Sequence, residues 1–268
     1  MDSSLLERKF GNMGARVKVN DTNTGFRRNA ISSGSLRLNV LSDKKGEFFE
    51  VAVNGDSQPE VQVLDVQPAD RHLLLLVRNQ NEKSKFLCGH DERHWFVAAI
   101  PETASVGTVR QAKEALKPRE VQVRQVGLGA KKRNKRKNEA YTRQGEWFFL
   151  PENISPKAEW ILKNEPISRG TGSKPHMCEF MYRSGGETVW VCSRYPSGVN
   201  SETYNRLLKS DKESKTWGWR AMKRDAAVYV KGRISHADHA TITLSDWCRV
   251  VMNTESKAAA MRQVAFLD

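Results

Sequence analysis

The chain has 268 residues, of which 44 are Lys or Arg and 31 are Asp or Glu, giving a formal net charge of +13. This length predicts one large or two modest domains, and seven Trp and ten Phe can fill a core. The apolar run 73–77 is strand-sized and no run in the sequence approaches the length of a membrane span, and residues 1–12 lack the apolar core of a signal peptide. Four cysteines are too few for a disulfide framework. These features favour a soluble cytoplasmic protein without a membrane partner.

The positive charge is concentrated in one short stretch. Residues 1–125 carry a net charge of +3 and residues 139–268 carry +4, whereas 126–138 hold six basic and no acidic residues. Because glycines and like charges cannot bury apolar surface, we interpret 126–139 as an exposed linker between β-rich domains at 1–125 and 140–268. The basic run consists of Lys131, Lys132, Arg133, Lys135, Arg136 and Lys137. It can contact phosphates, or it can be a solvated linker with no partner.

The first segment is dominated by strand patterns. Period-two alternation and short apolar runs predict strands at 36–41, 48–53, 61–66, 73–77, 85–89 and 94–100. Apolar spacing predicts a helix over 106–117, which Pro118 ends. We interpret 121–123 as a last strand and find no clear element in the first 30 residues. The segment therefore predicts a curled sheet or small barrel with one helix.

The second segment is also rich in predicted strands, at 146–150, 177–182, 187–192, 228–234, 240–244 and 247–252. The glycines in 183–186 predict a hairpin between the second and third of these strands, and 228–234 is expected to pair with 240–244. Helical spacing over 201–209 begins at Ser201, a candidate N-cap. The predicted fold class is β-rich α+β, with two small antiparallel-sheet or barrel-like domains that each carry one or two helices.

Three stretches, 89–96, 144–149 and 246–255, resemble segments of a group of uncharacterised bacterial proteins. The resemblance covers most of the chain. It implies a bacterial source, and it brings no fold or activity with it.

Two clusters contain side chains suited to acid–base chemistry. The first lies in 88–94 and the second at a predicted hairpin tip, 236–239. Convergent imidazoles and carboxylates can transfer protons or bind a metal ion, but the same residues also occur in ordinary surface loops and turns. The candidate catalytic residues are His90, Asp91, Glu92, His94, His236, Asp238 and His239.

A metal hypothesis joins two pairs of Cys and His. Cys88 with His90, and His176 with Cys178, offer the ligand types of a Cys₂His₂ zinc site, although their spacing fits no standard zinc finger. The alternative is that the cysteines are small buried apolar residues. A divalent metal ion is otherwise expected only if the protein is an enzyme.

Aromatic residues alternate with cations between 190 and 249. Trp217-Gly218-Trp219 is the clearest case, since an extended strand would place both rings on one side. Single-stranded nucleic acid is bound by such rings beside basic grooves, whereas a Trp in an alternating strand is otherwise a core residue. Outside the basic run, the predicted nucleic-acid-binding residues are Trp217, Trp219, Arg220, Lys223 and Arg224.

The sequence therefore predicts a nucleic-acid-binding protein. RNA is favoured as the partner because no helix-turn-helix, zipper or zinc-finger pattern occurs, and sheets with aromatic residues suit single strands. One alternative is a nuclease or other phosphodiester hydrolase that uses the His/Asp/Glu clusters. The other is a protein-interaction module in which the basic run is only a linker.

Overall fold

The computed structural model describes residues 2–20, 31–33, 35–53, 58–80, 82–169 and 173–257, which form two compact units. Unit 1 comprises the described residues up to Phe148, with Asp238–Ala240 and 251–257, and unit 2 comprises Phe149–Ala237 and Thr241–Val250. Strands account for 49 % and helices for 21 %, which confirms the β-rich α+β class. Within the described ranges, no sheet closes into a barrel and no helix is long and apolar enough to cross a membrane.

Unit 1 contains two four-stranded sheets. Its strands are β1 (Val17–Asn20), β2 (Ile31–Ser33), β3 (Leu36–Asp43), β4 (Gly46–Val53), β5 (Glu60–Gln67), β6 (His72–Asn79), β7 (Glu82–Asp91) and β8 (His94–Ile100). The first sheet has the order β1-β4-β3-β2 with β1 parallel to β4, and the second is an antiparallel meander, β5-β6-β7-β8. The strands predicted for this segment are thereby confirmed as β3 to β8.

The helices of unit 1 are α1 (Ser3–Asn12), α2 (Val109–Ala115), α3 (Arg119–Arg124) and α4 (Ala130–Arg133), followed by β9 (Thr142–Gln144). α2 confirms the predicted helix with narrower bounds, because Thr108 caps it through the Gln111 main-chain N–H. Its buried face packs on the meander, where Val109 and Ala112 meet Leu74 and Leu87. This apolar contact fixes the position of the helix.

Two expectations for unit 1 are wrong. Residues 121–123 lie in α3 and not in a strand; Val121 is fully buried while Val123 is 62 % exposed, which a shared strand face would not produce. The N-terminal segment contains α1, whose N-cap Asp2 accepts a hydrogen bond from the Leu5 N–H at 3.1 Å. The buried residues of α1 are Leu6 and Phe10 alone, so its apolar stripe is too narrow to stand out in the sequence.

The chain enters unit 2 within β10 (Trp147–Pro151). The other elements of unit 2 are β11 (Leu162–Ile167), β12 (His176–Ser184), β13 (Glu187–Cys192), β14 (Tyr195–Asn200), α5 (Ser201–Ser210), β15 (Arg220–Arg224), β16 (Ala227–Ser235) and β17 (Ile242–Met252). β11, β12, β16 and β17 are antiparallel neighbours in the larger sheet, and β14-β13-β15 forms the smaller one. The two strands predicted at 240–244 and 247–252 are the single strand β17.

The hairpin predicted at 183–186 is wrong. β12 pairs with β11 and β16, whereas β13 pairs with β14 and β15, so the chain changes sheets here instead of reversing within one. Gly185 and Gly186 have φ values of +71° and +78°. A Cβ at Gly186 would lie 2.7 Å from the main-chain oxygen of Arg224, so the crossing requires glycine there.

Candidate nucleic-acid interface

Five aromatic side chains of unit 2 contact one another around the smaller sheet. We call Trp190, Tyr195, Tyr204, Trp217 and Trp219 the ring cluster. Trp190 stacks on Tyr204 with centroids 4.0 Å apart and planes 8° apart, and Tyr195 stacks on Trp219 at 5.7 Å and 16°. The Trp217 and Trp219 centroids are 5.8 Å apart. All five rings remain partly exposed, so the cluster reaches the surface of the unit.

Local hydrogen bonds hold the rings in place. Asn200 begins α5 by accepting the Thr203 N–H at 2.9 Å, and the helix carries Tyr204 to Trp190. A 3₁₀ helix, Lys212–Thr216, then contains the buried Ser214. The main-chain oxygen of Ser214 accepts the indole N–H of Trp219 at 2.8 Å. The cluster is therefore positioned by a helix cap at one end and a buried turn at the other.

Trp217 and Trp219 lie side by side, but the extended strand predicted to align them is wrong. Trp217 directly follows the 3₁₀ helix, Gly218 has φ +68°, and β15 begins only at Arg220. Glycine tolerates this left-handed conformation at little cost, whereas other residues are strained in it. A sharp turn at Gly218, rather than strand alternation, brings the two rings together.

The cations predicted beside these rings are divided between the two faces of the smaller sheet. Trp190 is directly opposite Ala221, so Lys223, two residues further along β15, lies on the same face as Trp190. Arg220 is opposite Val191, and Arg224 is opposite Glu187, with which it forms a 2.7 Å ion pair. Arg220 and Arg224 thus belong to the other face.

Arg194, which lies between β13 and β14, is placed over the ring of Trp217. Its guanidinium carbon is 4.4 Å from the centroid of Trp217, and its side chain is exposed. A guanidinium over an indole is a favourable cation–π contact, and its planar outer surface can itself stack on a nucleobase. The ring cluster therefore presents both aromatic and guanidinium planes.

The positive charge of the C-terminal half coincides with this region. Residues 187–224 contain eight basic and four acidic residues, a net charge of +4. The flanking stretches are balanced, with six of each sign in 139–186 and five of each in 225–268. The whole excess of 139–268 thus lies in the segment that builds the ring cluster.

Two indole N–H groups in the cluster have no hydrogen-bond acceptor among the described residues. They belong to Trp190 and Trp217, and both nitrogen atoms are shielded from solvent. A buried donor without an acceptor costs about 1–3 kcal/mol relative to a satisfied one.

The basic run lies within unit 1 and contains α4. The main-chain oxygen of Arg133 accepts hydrogen bonds from the buried Lys117 ammonium at 2.9 Å and from the Tyr141 hydroxyl at 2.5 Å. Lys132 pairs with Glu139 at 2.5 Å. The remaining lysines, Lys131, Lys135 and Lys137, are exposed, and none pairs with a described carboxylate. These three present free charge on a folded segment.

Arg136 connects the basic run to the 88–94 cluster. Its guanidinium forms ion pairs with both Asp91 and Glu92, and Arg143 approaches Asp91 at 3.4 Å. Glu92 also accepts the Ala240 N–H at 2.7 Å. These carboxylates are thus held in a network of cations and main-chain donors, which is typical of a structural role.

The two histidines of this cluster have separate partners. His94 Nδ1 is 2.7 Å from a carboxylate oxygen of Glu47. His90 contacts the edge of Trp95, with centroids 4.9 Å apart, and burial together with the nearby Arg71 charge lowers the pKa of His90. His90 and His94 therefore lie on opposite strands of the β7–β8 hairpin.

The remaining candidate residues are divided between the units. His236 and the buried His176 stack in unit 2 with ring centroids 4.1 Å apart, and His236 Nε2 lies 3.2 Å from the Lys174 oxygen. Asp238 and His239 belong to unit 1, where His239 Nδ1 is 3.9 Å from Glu92.

The four cysteines are buried free thiols. Burial raises the pKa of Cys178 to about 12 and that of Cys88 still further. Such thiols stay protonated at neutral pH and are poor zinc ligands unless a metal displaces the proton. Cys88 and His90 lie in unit 1, whereas His176 and Cys178 lie in unit 2.

Sequence reasoning missed Tyr204 as a member of the ring cluster. Its spacing with Leu207 and Leu208 predicts the inner face of a helix, and the structure places it there, stacked on Trp190. The sequence does not show which surface α5 covers. An aromatic residue on the apolar face of a short helix near several tryptophans is the available signal.

The chain matches no protein-family model, no curated protein and no solved structure.

Proposed function

We propose that the protein binds single-stranded nucleic acid, with RNA favoured, through the ring cluster of unit 2. One observation carries the proposal: five partly exposed rings lie on the segment that holds the whole positive excess of residues 139–268. Single-strand binders combine stacking on aromatic side chains with a basic surface that follows the phosphates. The cluster supplies the first component and its surrounding cations supply the second.

In this proposal, nucleobases stack on the exposed edge of the cluster formed by Tyr195, Trp217 and the Arg194 guanidinium. Lys223 lies on the same sheet face as Trp190 and contributes positive charge near the bases. Arg220 lies on the other face of the sheet and contributes only through its longer-range field. The three exposed lysines of the basic run add further electrostatic affinity.

The proposal retains a reducing bacterial cytoplasm as the setting. Four buried cysteines that remain unpaired are consistent with a compartment in which thiols stay reduced. The bacterial source rests on the sequence resemblance alone.

Fluorescence anisotropy with labelled oligouridylate and the matching deoxyoligonucleotide tests the proposal. We expect Trp217→Ala to weaken binding by about 1–3 kcal/mol, the usual loss for one stacked base. Trp217→Phe keeps a stacking surface and should restore much of the affinity. If neither polymer binds, or if Trp217→Ala binds as tightly as wild type with an unchanged circular dichroism spectrum, the proposal is wrong.

A salt series tests the contribution of the basic run. Replacement of Lys131, Lys135 and Lys137 by Gln should reduce the slope of log affinity against log salt by about 2, since each single-strand contact contributes about 0.7. Lys44→Gln, an exposed charge in the β3–β4 turn, serves as a matched control and should leave the slope nearly unchanged. Equal slopes for the triple variant and the control would show that these three lysines do not contact the nucleic acid.

A further inference from the structure

A second line of aromatic side chains crosses the larger sheet of unit 2. Trp160 ends a 3₁₀ helix, Ala158–Trp160, and its ring is nearly parallel to that of Tyr182 on β12, with centroids 6.3 Å and planes 8° apart. Tyr182 is directly opposite Tyr229 on β16, with ring centroids 6.0 Å apart. Trp160 is 50 % exposed and both tyrosines are partly exposed. The three rings therefore form a row that is open to solvent.

The strand register extends this row with cations. Arg249 on β17 is directly opposite Tyr229, so the two side chains share a face. Phe180 lies two residues before Tyr182 on the same strand and is therefore on that face too. Lys163 on β11 and Lys231 on β16 are the direct neighbours of Phe180. We call this surface the aromatic–cation face; it contains Trp160, Lys163, Phe180, Tyr182, Tyr229, Lys231 and Arg249.

A β-bulge in β16 makes room for one of these rings. The register of β16 shifts near Gly232, which has φ +83°. A Cβ at Gly232 would lie 3.1 Å from the Phe180 ring and 2.6 Å from a carboxylate oxygen of Glu179. That same oxygen accepts the Arg233 N–H at 2.8 Å and fixes the bulge. Bulges of this kind often re-aim side chains next to functional surfaces.

The charges on this face are available to a ligand. Lys163, Lys231 and Arg249 form no ion pair with any residue that the structure describes. The ammonium of Lys157 lies 5.0 Å above the Trp160 ring, and the carboxylate of Glu165 on β11 is held by Arg183 at 3.4 Å. The face thus combines flat rings with positive charge, which complements a polyanion that carries flat bases.

We propose that the aromatic–cation face is a second binding site for single-stranded nucleic acid. Bases stack on Trp160, Tyr182 and Tyr229, while phosphates contact the neighbouring lysines and arginine. The ligand class is the same as in the proposed function, but the residues are different, so either site can fail without the other. Rows of aromatic residues also bind neutral polysaccharides; the unpaired cations here favour the polyanion.

Anisotropy titrations with labelled oligouridylate test this site in the full chain, both in wild type and in the Trp217→Ala background. Trp160→Ala should weaken binding about tenfold in the Trp217→Ala background, where the ring cluster is impaired, and Trp160→Phe should weaken it less, because loss of one stacking ring costs about that much. Trp160 is half exposed, so its removal is not expected to unfold the unit. Combined Lys163→Gln, Lys231→Gln and Arg249→Gln changes should lower the salt slope by about 2.

The outcomes separate the two sites. Unchanged affinity for Trp160→Ala in the Trp217→Ala background, together with an unchanged salt slope for the triple variant, would overturn this inference, even if Trp217→Ala confirmed the ring cluster. A loss of oligouridylate affinity for Trp160→Ala but none for Trp217→Ala would support this site and contradict the proposed function. The protein can also be run in gels that contain a soluble neutral glucan. If the glucan retards it, and Trp160→Ala abolishes that retardation while the affinity for RNA is unchanged, the inference is overturned. Lys44→Gln is the charge control in every series.

Discussion

The ammonium group of Lys117 donates a hydrogen bond to the main-chain oxygen of Arg133 at 2.9 Å, which connects the end of α2 to the basic run. The same nitrogen donates to Glu114 at 2.8 Å and to the Gln125 side-chain oxygen at 2.9 Å, and Lys117 is only 4 % exposed. All three donor positions of this ammonium are thus satisfied. Burial lowers the pKa of Lys117, and the hydrogen bond to Glu114 opposes that effect.

Replacement of Lys117 should therefore destabilise unit 1. We expect Lys117→Met to lower the free energy of unfolding by about 2 kcal/mol, because Glu114 loses its buried cation and the Arg133 and Gln125 oxygens each lose a hydrogen bond. Lys113→Met, on the same helix, removes a surface pair with Asp70 and should cost less than about 1 kcal/mol. Urea unfolding measures both variants. Equal losses in the free energy of unfolding would show that the buried hydrogen bonds of Lys117 stabilise the protein no more than the surface pair of Lys113 does.

Arg194 is expected to contribute to nucleic-acid binding through the flat surface of its guanidinium as well as through its charge. Arg194→Lys keeps the charge but loses the guanidinium surface over Trp217, so we expect it to weaken binding by about 0.5–1 kcal/mol. Arg194→Ala should weaken binding further and also reduce the salt slope. Anisotropy across a salt series measures both effects. Wild-type affinity for Arg194→Lys would mean that only the charge matters.

His72 makes the stability of the protein depend on pH. Burial, followed by the nearby Lys113 charge, lowers the pKa of His72 from 6.5 to about 4. Below pH 6.5 the His72 imidazole becomes protonated in the unfolded chain but stays neutral in the folded chain. The free energy of unfolding therefore falls as the solution is acidified. The loss should be about 1.4 kcal/mol per pH unit between about pH 6.5 and about pH 4. Urea unfolding at several pH values measures this slope. The free energy of unfolding of His72→Gln should change less with pH between about pH 6.5 and about pH 4. If it changes as much as that of the wild type, His72 is not the group responsible.

Gly89 on β7 should not tolerate a side chain. A Cβ at this position would lie 2.5 Å from the His72 ring and 2.8 Å from Phe96. We expect Gly89→Ala to destabilise the protein by about 2 kcal/mol through overpacking. Thermal or urea unfolding measures the change.

A contrasting glycine and a double variant serve as controls for that prediction. Gly11 in α1 has no atom within 4 Å of the added Cβ, so Gly11→Ala should be neutral or stabilise by up to about 1 kcal/mol. If the clash is with His72, the cost of Gly89→Ala should shrink when His72→Ala is also present. An undiminished cost would assign the strain to Phe96 instead.

The sequence predicted strands well because their two-residue period is a local signal. β3 to β8 follow runs that alternate or are continuously apolar, and α2 follows a helical period that ends before Pro118. α3 was mistaken for a strand because Val121 and Val123 are also spaced as in a strand, and six residues are too few to distinguish the two periods.

The binding surfaces were harder to predict because they depend on pairings between distant strands. Trp217 and Trp219 were found from their spacing alone, although Gly218 and not a strand brings them together. The row of Trp160, Tyr182 and Tyr229 was missed, since only the register of β12 with β16 places the two tyrosines side by side, and Trp160 reaches Tyr182 from a separate 3₁₀ helix. The faces of Arg220 and Arg224 likewise follow from register and not from composition.

The change of sheets at Gly185 and Gly186 has a consequence for the architecture of unit 2. β12 and β16 are antiparallel neighbours whose last pair is Ser184 with Ala227, so without the intervening chain they would form a simple hairpin. The whole ring cluster is an insertion at the tip of that hairpin, and its ends meet where Glu187 lies opposite Arg224. A short Asn-Gly turn in place of residues 185–226 would excise it and leave the larger sheet continuous.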